Sequence, residues 1–89
     1  MFNKAVEFYN GKAWKLVKRQ AIDRATGPDG FVYDEISGEK IVKKGDIIVH
    51  HVVELTDENV DDFSVSLNLD NLRVVSFDHH NQIHNRFGA

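Results

Sequence analysis

The chain has 89 residues, which allows one small domain over residues 1–89, and 42% of them are hydrophobic, enough for a modest core. It has no cysteine, which excludes a disulfide framework and a thiolate zinc knuckle; no apolar run is long enough to span a membrane or to form a signal-peptide core, so an intracellular location is expected. The formal charge of −3 is unevenly spread: residues 1–26 carry +4, residues 27–70 carry −8 and residues 71–89 carry +1, so two basic ends flank an acidic middle.

Residues 1–9 are mixed, with Phe2, Val6, Phe8 and Tyr9 available for packing. Asn10 is a good helix N-cap, and Trp14, Val17, Ala21 and Ala25 then recur every three or four residues, which predicts an amphipathic helix of about twelve to fifteen residues. Its polar face carries Lys15, Lys18, Arg19 and Arg24, and Thr26-Gly27-Pro28-Asp29-Gly30 stops it in a turn. Phe31-Val32-Tyr33 and Lys40-Ile41-Val42 read as a small hairpin turning at Ser37-Gly38. After a turn at Lys43–Asp46, the β-branched run from Ile47 to Val53 predicts a strand. Thr56 with Asn59, followed by Val60 and Phe63, predicts a short helical turn, and Ser64–Leu69 an extended or irregular stretch in which Asn68 shapes the loop. Leu72–Val75 is the next strand. Ser76 is placed to cap a final helix, Asp78 suits its first turn, and Gly88 lies just past its end.

Chemistry-bearing residues concentrate in the second half. Four of the five histidines are His50, His51, His80 and His84. On a helix, His80 and His84 share one face with Cβ atoms about 5–6 Å apart, a separation at which two imidazoles can share one metal ion. The adjacent pair His50-His51 can supply a third ligand and a base, which points to a metal-dependent phosphodiesterase. Successive side chains of a regular strand point to opposite faces, so for both to serve one site the strand must end or twist there. His79 and Asn81 are expected on the helix surface, and Trp14 in the core.

The order Val49-His50-His51-Val52, Leu69-Asp70-Asn71-Leu72, His80-Asn81-Gln82-Ile83-His84 resembles the HNH endonuclease family, above all its small phage-encoded members. The likeness covers about residues 46–86, with a weaker one at Phe8-Tyr9-Asn10 and the Trp14 helix. It implies an α+β chain with a ββα-metal (His-Me finger) core at about 46–87, an N-terminal helix and a small β-hairpin. Many phage members carry two CxxC pairs that bind a structural zinc; here Ser76 and His79 stand at the second pair and Thr26–Tyr33 holds no cysteine. The structural zinc is therefore expected to be absent and replaced by local packing. The stretch from Asp70 to His84 also resembles DNase colicins, which work without that zinc.

The resemblance implies His51 as general base, His50, His80 and His84 as ligands of one divalent metal, and Asn71 as the residue that braces the loop and orients the base. Arg73 and Arg86 are candidates for DNA phosphate contact. The metal would be magnesium, manganese, zinc, nickel or cobalt. The expected function is a DNA endonuclease, nicking or weakly sequence-specific, leaving 5′-phosphate and 3′-hydroxyl ends. The phage likeness implies a cytoplasmic protein of an infected or prophage-bearing bacterium. It would work beside a phage terminase in genome packaging, or as a homing-type or restriction enzyme. So short a chain points to specificity through a homodimer or a partner. The alternative is a non-catalytic DNA- or protein-binding module that keeps fold and metal for stability.

Overall fold

A computed structural model describes residues 4–81, so the expectations for His84, Arg86 and Gly88 lie outside the described residues. The chain is α+β, with four helices and two small antiparallel sheets among the described residues. Helices α1 (Lys4–Asn10) and α2 (Lys12–Ala25) lead into β1 (Val32–Tyr33) and β2 (Lys40–Ile41). The strands β3 (Ile47–His51) and β4 (Leu72–Ser76) follow, with the one-turn helix α3 (Phe63–Ser66) between them. A fourth helix begins at residue 77 and continues through 81. No helix among the described residues is long and apolar enough to cross a membrane.

Helix α2 forms where its apolar period requires it. Trp14, Ala21 and Ala25 are buried and Val17 is half-buried, so the stripe at 14, 17, 21 and 25 faces the core. The start of the helix differs from expectation. Asn10 does not cap α2; it ends α1, and Gly11 occupies the N-cap with extended backbone and no side-chain bond. The two helices meet so closely that a Cβ on Gly11 would lie 3.2 Å from the Phe8 carbonyl oxygen, tighter than most real Cβ contacts, which suits glycine at this joint. The mixed N-terminal stretch is helical because Phe8 has somewhere to go: its ring packs 5.6 Å from that of Trp14.

The small hairpin pairs Val32 with Ile41 and Tyr33 with Lys40. Its turn is built by Asp34, whose Oδ1 accepts from the Ile36 N–H at 2.9 Å and the Ser37 N–H at 2.8 Å, while Gly38 supplies the left-handed residue at φ +80°. Strands β3 and β4 pair over five residues, from Ile47 opposite Ser76 to His51 opposite Leu72. Directly opposed residues share a face. Ile47, Val49, Leu72 and Val74 therefore pack with Trp14 and Ala21 of α2 in the main core, and Ile48, His50, Arg73 and Val75 lie on the opposite face. The strand expected over 47–53 stops at His51; Val52 and Val53 are exposed.

The edge of β4 away from β3 is paired by the segment at 34–35. The Glu35 N–H donates to the Val74 carbonyl at 2.7 Å, the Val74 N–H to Glu35 Oε1 at 2.8 Å, and the Ser76 N–H to Asp34 Oδ2 at 2.9 Å. Carboxylates here do the work of a neighbouring strand. Arg24, read from sequence as part of a solvated helix face, instead grips Glu35 with two bonds of 2.8 and 2.7 Å and donates to the Leu69 and Leu72 carbonyls. Asp34 is 1% exposed and also accepts from His79 Nδ1 at 2.7 Å. Burial alone would raise its pKa. The bonds from Ser37, Ser76, His79 and Ile36 outweigh burial and hold it at about 2. His79 is thus half-buried in a bond network, not a plain surface residue. Ser76 caps the fourth helix as expected, its Oγ accepting from the His79 N–H at 3.1 Å.

The loop between β3 and β4 is more regular than its sequence predicts. Thr56 and Asn59 exchange the expected capping bonds, at 2.7 and 3.2 Å, and seat Val60 at 2% exposure. The stretch 64–69, expected to be irregular, instead carries most of α3 and the start of a 3₁₀ turn. Asp62 caps α3 through the Ser64 N–H, and Asn68, the expected loop-shaping residue, caps the turn through the Asp70 N–H.

Candidate active site at the end of the long hairpin

The end of β3 sends its two histidines to opposite faces of the sheet. His51 points into the aromatic side of the core, 5% exposed, with its ring stacked on Trp14 at 5.0 Å and 27°. Tyr9 and Phe8 meet it edge-on at 6.1 and 6.3 Å. His51 Nε2 lies 2.9 Å from the Ser66 carbonyl oxygen. A carbonyl only accepts, so Nε2 carries the proton and the basic lone pair sits on Nδ1. Nδ1 makes no hydrogen bond among the described residues, and the His51 ring is one of the walls of a cleft. Burial lowers the imidazole pKa below its ordinary 6.5, against a smaller opposite effect of the Ser66 carbonyl, so the ring is neutral at pH 7 and able to take a proton.

Asn71 holds the frame on which this depends. Its Oδ1 accepts from the Val53 N–H at 2.8 Å, and its Nδ2 donates to the Val65 carbonyl at 2.9 Å and the Val53 carbonyl at 3.3 Å. Its own carbonyl accepts from the Val52 N–H at 2.9 Å. One side chain thus ties the exit of β3 to α3, and the carbonyl it leaves in place at the next residue, Ser66, is the one that orients His51.

On the other sheet face, His50 meets His80 of the fourth helix, with ring centroids 5.4 Å apart at 71°. A metal ion bound to an imidazole nitrogen lies about 3.2 Å from the ring centroid, so two rings sharing one ion can be up to roughly 6.4 Å apart. The His50–His80 pair is within that limit, and neutral imidazoles are suitable donors for such an ion. Among the described residues no three histidine, aspartate, glutamate or cysteine side chains gather into a metal-binding group. His84, the expected third ligand, lies outside them.

His50, His51 and His80 line one cleft of about 280 Å³ that wraps the end of the hairpin, together with Tyr9 and Glu54. Neither of these last two was read from the sequence as a site residue: Tyr9 was expected only to pack. Glu54 follows the strand without any motif of its own, and Tyr9 reaches the cleft only because α1 folds back on Trp14. Burial, and then the Glu54 carboxylate, raise the Tyr9 phenol pKa. Arg73 stands opposite His50 in the ladder, and its guanidinium donates to the Asp70 and Leu72 carbonyls at 3.1 and 2.7 Å. Arg86 lies outside the described residues. Comparison with protein-family models, with curated proteins and with solved structures finds no match.

Proposed function

We propose that the protein is a metal-dependent DNA endonuclease of the HNH type, with β3, β4 and the fourth helix as a ββα-metal unit. The observation that carries this reading is the setting of His51: its Nε2 is committed to the Ser66 carbonyl, which leaves the basic lone pair on Nδ1, and its ring lines one cleft with His50 and His80. In this account His51 Nδ1 takes a proton from a water as its oxygen attacks the scissile phosphorus. The new P–O bond forms as the bond to the 3′ oxygen breaks. The leaving 3′ oxygen takes a proton from solvent, giving 5′-phosphate and 3′-hydroxyl ends. Trp14 and the Ser66 carbonyl hold the His51 ring, and Asn71 holds the neighbouring Val65 carbonyl. His50 and His80, with His84 as a third candidate, would hold a divalent ion, which supplies charge stabilisation at the phosphate and the leaving oxygen. Arg73, on the same sheet face as His50, is a candidate phosphate contact.

The test is conversion of supercoiled plasmid to open circle with magnesium, manganese, zinc, nickel or cobalt, against EDTA. Nicking in at least one metal and none in EDTA is expected. DNA binding without strand cleavage in every metal would replace the enzyme with a non-catalytic module of the same architecture.

A further inference from the structure

We infer that the outer face of α2 is a docking surface for the sugar–phosphate backbone of duplex DNA, running away from the cleft; this rests on the nuclease reading above. Lys12, Lys15, Lys18 and Arg19 fall within eight residues, and all four are exposed. None of them makes an ion pair among the described residues. The cations Lys4, Arg24 and Lys40 do, with Asp61, Glu35 and Asp29.

Helical geometry gathers these side chains. With Trp14, Ala21 and Ala25 facing the core, steps of about 100° per residue place Lys12, Lys15 and Arg19 within roughly 60° of one another on the solvent side, with Lys18 at their flank. The one acid of α2, Asp23, lies a turn beyond Arg19 and forms no ion pair with it. The ridge lies on the far side of α2 from the core, and only the first turn of the helix comes near the cleft. Trp14, in the first turn of α2, is the residue stacked on His51, and Tyr9, two residues before the joint at Gly11, lines the cleft.

The loop that follows β3 is acidic. Glu54 lines the cleft, and Asp57, Glu58, Asp61 and Asp62 follow in the loop, of which Asp61 is offset by Lys4. A polyanion is repelled by that loop and attracted to the exposed cations of α2. Duplex DNA carries about one charge per 1.7 Å of axis. The rise from Lys12 to Arg19 is about 10 Å, enough for three cations to meet successive phosphates of one backbone. Lysine ammonium groups suit such contact, which positions a duplex without reading its bases.

The experiment measures binding of a fluorescent duplex of about 25 base pairs by anisotropy in EDTA, over a range of salt concentrations. Wild type is compared with Lys12→Gln/Lys15→Gln/Arg19→Gln and with Lys4→Gln/Lys40→Gln, a control that removes two cations already held in ion pairs off α2; circular dichroism melts confirm the fold of each. The triple variant should bind more weakly and show a salt slope smaller by about 2–3, near 0.9 per lost phosphate contact, while the control keeps the wild-type slope. A wild-type slope in the triple variant, or an equal loss in the control, overturns the inference and leaves the nuclease reading standing. A wild type that neither binds the duplex nor nicks plasmid removes the nuclease reading and this inference with it.

Discussion

Replacing Asp34 by asparagine removes a single charge from a buried carboxylate and should cost this domain a large part of its stability. Four bonds converge on that side chain, from the Ile36, Ser37 and Ser76 N–H groups and from His79 Nδ1, so it joins the small hairpin to β4 and to the fourth helix. Holding a carboxyl at about 2 instead of the usual 3.8 is worth about 2–3 kcal/mol at neutral pH, at about 1.36 kcal/mol per pH unit. At 1% exposure, solvent screening takes little from that figure. Asparagine keeps one acceptor but turns an amide towards the donors of Ser76 and His79, so the variant should lose all of it. The melting temperature should fall by about 10–20 °C for a chain of this size. Because the folded pKa is depressed, the contribution is complete above about pH 4 and is lost as pH falls through about 2. The gap between wild type and Asp34→Asn in urea unfolding should therefore be about 2–3 kcal/mol at pH 7 and roughly half that at pH 3. A gap that is the same at both pH values, or smaller than about 0.5 kcal/mol at pH 7, would refute the role given to this carboxylate.

Two further outcomes follow from the site. Asn71→Ala frees the Val53 and Val65 backbone groups and should cost about 1–3 kcal/mol in urea unfolding; with the Ser66 carbonyl no longer fixed, nicking should fall more steeply than stability, and a variant with wild-type nicking would contradict the bracing role. A metal bound only by the folded chain should raise the melting temperature by roughly 10–20 °C at a hundredfold excess over Kd, with the shift lost in His80→Ala, as read from melts with and without zinc, nickel and manganese.

The sequence gives away those parts of the fold whose cause is local. The 14-17-21-25 stripe fixed α2 and its buried face, the turn residues at 26–30 and 37–38 fixed the small hairpin, and the β-branched runs fixed β3 and β4. Helix α1 was not legible because seven residues are too few to be helical on their own account; it depends on Phe8 reaching Trp14. Asp34 was missed for a related reason: its partners Ser76 and His79 lie 42 and 45 residues away, and no periodicity signals such a contact. The same contact moved His79 from the expected surface into a network. At the site, strand alternation already implied that His50 and His51 part company. β3 does end at His51, as that tension required, but the ring stays on its own face and the cleft reaches round to it.

The most direct measurement of the central claim is the single-turnover nicking rate of His51→Ala beside that of wild type, in the metal that gives the fastest cleavage and with the metal-dependent melting shift recorded on the same samples. The account predicts a rate lower by about 10²–10⁴-fold with the metal-dependent shift retained, because His51 moves a proton while His50 and His80 hold the ion. A folded His51→Ala that nicks at the wild-type rate would contradict it.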